Sequence, residues 1–196
     1  MARTSREVAE RTGQRILEAA AAAFAEHGYA RVRLEDVAAG AGVTRGAVYH
    51  RYDSKEALFE AVLAQVMEQV AEVVEKTADA TPQGDPWASI EAGCLAFVRA
   101  VTRPSVRRVL LVDGPAVVGW EAWRALDAAH SRRTLEEALA ALKEARLMRG
   151  DPLAAAILLS GALNEAALWV TAADDPDAAI AAVADTFGLL LGSLHA

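Results

Sequence analysis

The sequence predicts an all-α protein, and three observations support this fold class. The 196 residues are rich in alanine and leucine, which are strong helix formers. No useful length of sequence alternates apolar and polar residues as a half-buried strand does. Three segments begin with a helix-start pair, Asp85-Pro86, Asp151-Pro152 and Asp175-Pro176. Since aspartate accepts bonds from free N–H groups and proline is tolerated in a first turn, we expect about nine helices.

Apolar residues at helical spacing predict four helices in the first part of the chain. In the first helix, Ile16, Ala20 and Phe24 form one stripe, and Gly28 follows as a helix stop. In the fourth helix, apolar side chains recur at spacings of three and four residues. The predicted bounds are about 8–27, 34–41, 45–52 and 53 or 54 to 79.

Five further helices are expected, at 86–103, shortly after Pro104, and at 120–147, 152–173 and 176–194. The stretch 153–173 is the most apolar, but Asn164-Glu165 interrupts it. Because an ionised carboxylate at a bilayer centre costs about 2.5–3.5 kcal/mol, we interpret this stretch as a buried bundle helix. The charged N-terminal segment also lacks an apolar signal-peptide core. These features predict a cytoplasmic protein that makes no membrane contact.

Charge is distributed unevenly along the chain. Residues 1–52 contain eight arginines and six acidic residues, whereas the whole chain has a net charge of −7, so the remainder carries −9. A mildly basic head on an acidic body suits a protein that touches a polyanion with its head alone. The predicted domains are 1–53 and 54–196.

Residues 34–58 carry the most informative motif. A helix-turn-helix needs a small residue where two helices cross, a glycine where the turn takes positive φ, and an apolar residue that anchors the second helix. Ala38, Gly42 and Val48 meet these demands at spacings of four and six residues. The pattern therefore predicts a helix-turn-helix whose second helix recognises DNA.

The residues around this motif narrow the interpretation. The run Val43-Thr44-Arg45-Gly46-Ala47-Val48-Tyr49-His50-Arg51-Tyr52, followed by Asp53-Ser54-Lys55-Glu56-Ala57-Leu58, resembles the signature of the TetR family of transcriptional regulators. The detailed resemblance covers about residues 8–62. It implies an N-terminal three-helix DNA-binding domain and a C-terminal helical domain for effector binding and dimerisation. It also implies a repressor without a cofactor, which binds palindromic operator DNA as a homodimer and is released by a small, largely apolar molecule.

Eight residues are candidates for contact with DNA: Arg33, Thr44, Arg45, Gly46, Tyr49, His50, Arg51 and Lys55. Thr44 can cap the recognition helix or reach a phosphate, and Arg45 can contact a guanine edge or a phosphate. Gly46 allows the backbone to approach DNA closely, and Tyr49 and Lys55 resemble the family's phosphate-contacting tyrosine and lysine. The alternative for all of them is an ordinary solvated helix face.

Arg33 departs from the family pattern. The family usually has threonine or serine at the start of its second helix, where the hydroxyl caps the helix and meets a phosphate. Arginine at this position is expected to cost the helix a cap worth about 1 kcal/mol. The guanidinium could instead reach a phosphate directly.

The predicted body combines aromatic residues with a few polar ones, as apolar ligand pockets do. Phe97, Trp120, Trp123 and Asn164 are the pocket candidates, with ordinary core packing as the alternative. The last two long helices each have an apolar seam, which predicts a homodimer joined through residues 152–194. Asn164 lies on one of these seams, so the sequence leaves open whether it faces the pocket or the dimer.

Two other classes of protein compete with a DNA-binding regulator. An enzyme is poorly supported, because the four histidines are scattered and no nucleophile or carboxylate pair recurs at helical spacing, so no catalytic or metal-binding residue is assigned. Cys94 lies in an apolar run and is expected to be buried. A helical adaptor or a small-molecule-binding protein without DNA function would explain the body but leave residues 33–58 unexplained.

Overall fold

The structure, a computed structural model, describes residues 2–82 and 84–196, with side chains from Glu7 onward. Within these residues the chain forms helices and no strand, which confirms the all-α prediction. The helices are α1 (Ala2–His27), α2 (Leu34–Ala41), α3 (Arg45–Arg51), α4 (Lys55–Asp79), α5 (Pro86–Val101), α6 (Pro104–Arg107), α7 (Gly114–Val118), α8 (Trp120–Ala129), α9 (Ser131–Glu144), α10 (Pro152–Ala172) and α11 (Pro176–Gly192). A 3₁₀ turn at Tyr29–Arg31 and a π-helix at Arg108–Asp113 complete the order.

The three aspartate-proline pairs begin helices as predicted. Asp151 accepts a bond from the N–H of Ala154 at 2.8 Å. Asp85 and Asp175 each accept bonds from two backbone N–H groups at the starts of α5 and α11, at 3.0–3.1 Å. These carboxylates satisfy donors that have no partner inside the helix, so they fix where α5, α10 and α11 begin.

The helix predicted over 120–147 is instead two helices, α8 and α9. They are separated at His130, whose backbone angles of φ −118° and ψ −109° lie outside the helical region. The N–H of His130 reaches back only three residues, to the carbonyl of Asp127 at 3.3 Å, and α9 then starts afresh. Neither glycine nor proline marks the break, so the sequence pattern gave no sign of it.

The first compact unit contains the chain up to Val66 together with Pro104–Trp123. Its core is built from fully buried side chains of α1 to α4, namely Ile16, Phe24, Val37, Val48, Leu58, Phe59, Val62 and Leu63. The unit thus includes the first part of α4 and a segment that is distant in sequence.

Two side chains hold that distant segment against the end of α1. The guanidinium of Arg108 donates to the carbonyl oxygen of Glu26 at 3.0 Å. The carboxylate of Asp113 accepts a bond from the N–H of Tyr29 at 2.8 Å. Both contacts lie at Gly28, whose φ of +78° lets the chain turn directly after α1.

The second compact unit contains Met67–Arg103 and Arg124–Ala196. Helices α5, α9, α10 and α11 build it, with α10 packed on α5, α9 and α11. Its buried side chains include Ile90, Phe97, Leu139, Leu142, Leu159, Leu163 and Phe187. The chain end is tied to the loop before α10, since the N–H of Arg149 donates to the carbonyl of Leu194 at 2.8 Å. Helix α4 begins in the first unit and ends in the second.

Candidate nucleic-acid interface and ligand cavity

The turn between α2 and α3 has the geometry that the sequence predicts. Gly42 adopts the left-handed conformation with φ +61°, which residues bearing a Cβ rarely adopt. Its N–H and that of Val43 bond back to the carbonyls of Ala39 and Ala38, both at 3.0 Å. The buried Ala38 lies on the same short helix. The predicted helix-turn-helix is therefore present.

Arg15 of α1 secures this turn, a role that the sequence motif did not indicate. Its guanidinium donates to the carbonyl oxygen of Ala41, at the end of α2. A Cβ added at Gly42 would lie 2.6 Å from the same guanidinium nitrogen. Glycine at this position therefore meets both the backbone conformation and the close approach of Arg15.

The recognition helix α3 is capped and anchored at specific residues. Thr44 is its N-cap, and its hydroxyl oxygen accepts a bond from the N–H of Ala47 at 3.2 Å. Val48 is fully buried and fixes one side of α3 to the core of the unit. With about 100° of rotation per residue, Gly46 and His50 lie almost opposite Val48, on the face turned to solvent.

The candidate DNA contacts do not all share that face. Tyr49 and His50 are exposed, and Tyr49 keeps 42% of its surface accessible. The guanidinium of Arg51, in contrast, lies over Gly13 of α1, where an added Cβ would come within 3.2 Å of its Nε. Arg51 is exposed like Tyr49 and His50, but its guanidinium lies beside α1, so its contact with DNA stays a prediction.

Arg45 is held by two neighbours. One terminal nitrogen, Nη1, lies 2.8 Å from a carboxylate oxygen of Glu35 on α2. The other, Nη2, donates to the hydroxyl of Tyr49 at 3.3 Å, and the guanidinium lies 5.2 Å from the centre of that ring. A backbone hydrogen bond lowers the pKa of Glu35, and the nearby Arg45 and Arg33 lower it further. This arrangement orients the guanidinium of Arg45 before any ligand is bound.

Arg33 is the N-cap residue of α2 and makes no side-chain capping bond. Its guanidinium nitrogen Nε instead lies 3.8 Å from a carboxylate oxygen of Glu35, and its side chain is exposed. The expected loss of a hydroxyl cap is confirmed. Glu35 thus lies between two arginines, one at the start of α2 and one on α3.

Lys55 begins α4 beside an aromatic cluster. Its Nζ lies 4.4 Å from the centre of the Tyr29 ring, within the range of a cation–π contact. Tyr29 in turn packs with Phe24 and Phe59, with ring centroids 5.9 and 5.2 Å away. Partial burial lowers the pKa of Lys55. The three aromatic rings therefore limit the positions that the Lys55 side chain can take at the start of α4.

A second candidate site is a cavity of about 730 Å³ within the second unit. Its walls come from α4, α5, α9 and α10 and are mainly apolar. The most buried wall residues are Ile90, Cys94, Phe97, Leu142, Ser160 and Leu163. The hydroxyl of Ser160 donates to the buried carboxylate of Asp127 at 3.4 Å. A volume of this size falls within the range of small-molecule sites.

Of the four predicted pocket residues, only Phe97 lines this cavity. Trp123 is buried in the first unit, where its indole N–H donates to the carbonyl of Leu110 at 2.7 Å. Trp120 is stacked on Trp123 and remains 63% exposed. Asn164 lies on the face of α10 that carries the exposed Ile157 and Leu168, and it is not among the wall residues. Aromatic content led the sequence interpretation to two tryptophans that belong to the packing of the other unit.

Helices α10 and α11 expose a broad apolar surface. Its exposed members are Leu153, Ile157, Leu158, Leu168, Trp169, Leu189 and Leu190. Between the two helices lies a shallow apolar groove of about 290 Å³. By length and composition alone, α10 is the one described helix that could cross a membrane, and 39% of its most apolar 18-residue stretch is buried in the protein. In the described part of the chain no group of three or more His, Cys, Asp or Glu residues could hold a metal ion.

Two protein-family descriptions match the chain. Residues 16–62 match the bacterial regulatory proteins of the tetR family. Residues 87–194 match the C-terminal domain of tetracyclin repressor-like proteins, and this match alone covers more than half of the 196 residues. The first match contains the helix-turn-helix, and the second contains most of the cavity walls.

Individual relatives agree with both matches. The chain is 30% identical over 175 residues to the HTH-type transcriptional regulator AcrR of Shigella flexneri, across 84% of this chain and 80% of AcrR. It is 46% identical over 63 residues to the regulator TtgR of Pseudomonas putida, a match that spans only 30% of TtgR. A crystal structure of a TetR-family transcriptional regulator from Pectobacterium atrosepticum superimposes with a TM-score of 0.77 at 30% identity, covering 95% of this chain and 96% of that one.

Proposed function

The chain belongs to the TetR family of transcriptional regulators, and we propose that it represses transcription in the cytoplasm by binding palindromic operator DNA as a homodimer. A small, largely apolar effector would bind the cavity of the second unit and release the operator. The observation that carries this proposal is the recognition helix α3, which is capped by Thr44, anchored by Val48 and exposed at Gly46, Tyr49 and His50.

The exposed side of α3 and the start of α4 supply the chemistry that DNA recognition needs. Gly46 presents backbone without a side chain, so the helix can approach a groove closely. Tyr49 and Lys55 offer hydroxyl and ammonium donors for phosphates, which position a protein on DNA without reading its sequence. Arg45 has donors in the fork geometry that matches the edge of guanine. We therefore assign phosphate contacts to Tyr49 and Lys55 and base contact to Arg45.

Homodimer formation through 152–194 is supported by the apolar faces of α10 and α11. A helix that is apolar on all sides is normally buried on all sides. Leu158 and Trp169 of α10 nevertheless remain 73% and 52% exposed in a single chain. A second copy would cover these side chains and would place two recognition helices on one operator, as two-fold symmetry requires.

Effector control is supported by the cavity and by the course of α4. Lys55 lies at the start of this helix, while Val74, Glu75, Ala78 and Asp79 near its end line the cavity. A ligand shifts a conformational equilibrium only by its differential affinity for the two states. Helix α4 would contact the ligand near its end and DNA at Lys55. A ligand that binds more tightly to one orientation of α4 would therefore also change the position of Lys55.

The DNA-binding half of the proposal is tested with the double variant Tyr49→Ala/Lys55→Ala. A dimer would lose four phosphate contacts, but only its two lysines neutralise phosphate charge, so the slope of log affinity against log salt should fall by about 2 units. Affinity for specific and unrelated DNA should fall together, because phosphates carry no sequence information. Fluorescence anisotropy over a series of salt concentrations measures both quantities.

The matched control is Lys143→Ala, which removes an exposed cation from α9 in the second unit. It should leave the salt dependence unchanged. Full affinity in the double variant would contradict the placement of the interface. A wild-type protein that binds no DNA fragment from its own promoter region would favour the adaptor interpretation over the regulator.

A further inference from the structure

The ionisable groups on the cavity wall carry one sign of charge. Among the described residues that line it, Glu75 and Asp79 are the carboxylates, and no lysine, arginine or histidine occurs. Burial raises the pKa of the Cys94 thiol to about 12, so this group is neutral at physiological pH. The fixed charge that a bound molecule meets on these walls is therefore negative.

The two carboxylates are close together and partly fixed. Glu75 and Asp79 are four residues apart on α4, so they lie on the same side of the helix. The hydroxyl of Thr134 on α9 donates to a carboxylate oxygen of Glu75 at 3.1 Å and limits its orientation. Both acidic residues are exposed, which puts them where the cavity meets solvent.

The rest of the wall is apolar and favours apolar groups of a ligand, unlike the two carboxylates. Ile90, Phe97, Leu142 and Leu163 are buried in the cavity and offer apolar surface. Transfer of apolar ligand surface from water to such walls is favourable, whereas a charged group placed among them would lose its hydration. A ligand that matches the whole cavity therefore has an apolar body and a polar or cationic end at α4.

We propose that the cavity selects effectors by charge, taking apolar cations before neutral molecules of the same shape and disfavouring anions, with Glu75 and Asp79 setting this order. The inference rests on the proposed effector function, because it names the chemical class of molecule for the same cavity. It adds a prediction that the apolar walls alone do not make. Apolar walls alone would favour a neutral alcohol over a primary ammonium ion of equal size, because the ammonium ion would lose more hydration.

The size of the preference follows from the exposure of the two carboxylates. Exposed ion pairs change an equilibrium by about 1.4- to 5-fold each. We therefore expect the cation to bind about 3- to 10-fold more tightly than the matched neutral molecule, with the anion weaker again. The preference should shrink as salt rises, because solvent-exposed charges are screened.

The test uses three probes with one apolar body: 2-naphthylmethylammonium, 2-naphthylmethanol and 2-naphthoate. Equilibrium dialysis against the full-length protein at neutral pH and low salt gives the three dissociation constants. The variant is Glu75→Gln/Asp79→Asn, which removes both wall charges with little change of shape. The matched control is Glu68→Gln/Glu72→Gln, which removes two exposed charges from α4, also four residues apart and outside the cavity wall.

The expected result is the order cation, neutral, anion in the wild type and in the control, with the cation losing its advantage over the neutral probe in the wall variant. Equal binding of the three probes by the wild type would overturn the inference, as would a preference for the cation that survives in the wall variant. Binding of none of them would also overturn it, since the shared apolar body should enter the cavity. The DNA-binding half of the proposed function is measured separately by the Tyr49 and Lys55 variant, so its failure cannot be confused with these outcomes.

Discussion

The two compact units of this chain differ in where they keep their apolar surface. In the first unit, Phe24, Tyr29 and Phe59 pack ring against ring at centroid distances of 5.1–5.9 Å. In the second unit, apolar side chains surround a cavity of about 730 Å³ and also cover the outer faces of α10 and α11. The first unit has thus used its large apolar groups for its own core, whereas the second leaves some of them available to other molecules.

This difference indicates how each unit binds. A filled core holds the recognition helix in a fixed orientation, and the polar residues of that helix stay on the surface to meet a partner. A cavity instead gives up packing contacts that a filled core would keep, at a cost that grows with its volume. The second unit is therefore less stable without a ligand than it would be with a filled core. Four predictions test or refine this contrast between the units.

The largest expected effect concerns Cys94, which lines the cavity and is buried. Burial raises the pKa of its thiol from 9.0 to about 12, mainly through desolvation of the thiolate. Since the thiolate is the reactive form, alkylation by iodoacetamide at pH 8 should be about a thousandfold slower in the native protein than in the unfolded chain. Mass spectrometry of timed samples with and without denaturant measures the two rates.

Measuring the alkylation rate of Cys94 with a ligand bound provides a second test. A bound naphthyl probe should slow alkylation of native Cys94 further, because it fills the space next to the sulfur. The unfolded chain serves as the control and should react at one rate with or without the probe. Fast alkylation of the native protein would mean that the second unit does not protect an apolar interior.

The head could be predicted in detail because its determinants are local. Gly42 must take positive φ, Thr44 must cap the next helix and Val48 must anchor it, and all three demands appear within a short run of sequence. What the motif could not supply were the long-range contacts. Arg15, which bonds the carbonyl of Ala41, is 26 residues away, and Asp113 is 84 residues from its partner Tyr29.

The body could be predicted only in outline. The aspartate caps gave the starts of α5, α10 and α11, because capping is a local interaction. The cavity, in contrast, is formed by helices that meet only in the folded chain, and helical periodicity does not specify their arrangement. Trp123 illustrates this, since its indole N–H bonds to the carbonyl of Leu110 away from the cavity, a contact that only the fold reveals.

The next largest effect concerns the exposed apolar face. Leu190 of α11 is 47% exposed and borders the groove between α10 and α11. Leu190→Asp should weaken self-association at least about a hundredfold, because each copy would bury an unpaired carboxylate in an apolar interface. Sedimentation velocity at micromolar concentration measures the change, and palindrome binding should be lost with it.

Leu190 is a better probe than Phe187, since Phe187 is buried within one chain and its substitution would damage the unit itself. The control is Val8→Asp, which adds a carboxylate at an exposed apolar position of α1. This control should sediment like the wild type. A wild-type protein that sediments as a monomer at micromolar concentration would rule out the proposed dimer.

A smaller effect is expected at Arg45, which is held by Glu35 and Tyr49. Arg45→Ala should reduce discrimination at one base pair in each half-site by about 5- to 150-fold if the guanidinium reads a guanine. Glu35→Gln keeps Arg45 but removes its charged partner. Affinity for non-specific DNA should therefore rise, and base preference should fall less than in Arg45→Ala. Binding to a library of randomised half-sites separates these outcomes, and unchanged base preference in Arg45→Ala would assign this arginine to a phosphate instead.

The smallest effect concerns Arg33, the N-cap residue of α2 that makes no capping bond. Arg33→Thr would supply a hydroxyl oxygen that can accept a bond from an N–H group of the first turn, and such a cap is worth about 1 kcal/mol of unfolding free energy. For a chain of this length such a gain raises Tm by about 2–4 °C. The loss of the ion pair with Glu35 offsets little of it, since that pair is exposed and its atoms are 3.8 Å apart.

Arg33→Ala is the matched comparison, because it removes the same guanidinium and supplies no hydroxyl. Calorimetry should rank Arg33→Thr above both Arg33→Ala and the wild type in Tm, and equal Tm values for the two variants would contradict the capping argument. Operator affinity provides an independent readout. If the guanidinium contacts a phosphate, Arg33→Ala should weaken binding and lower the salt dependence by about 2 units for a dimer. A rise in Tm together with a fall in affinity would mean that the head gives up helix stability at this position for a contact with DNA.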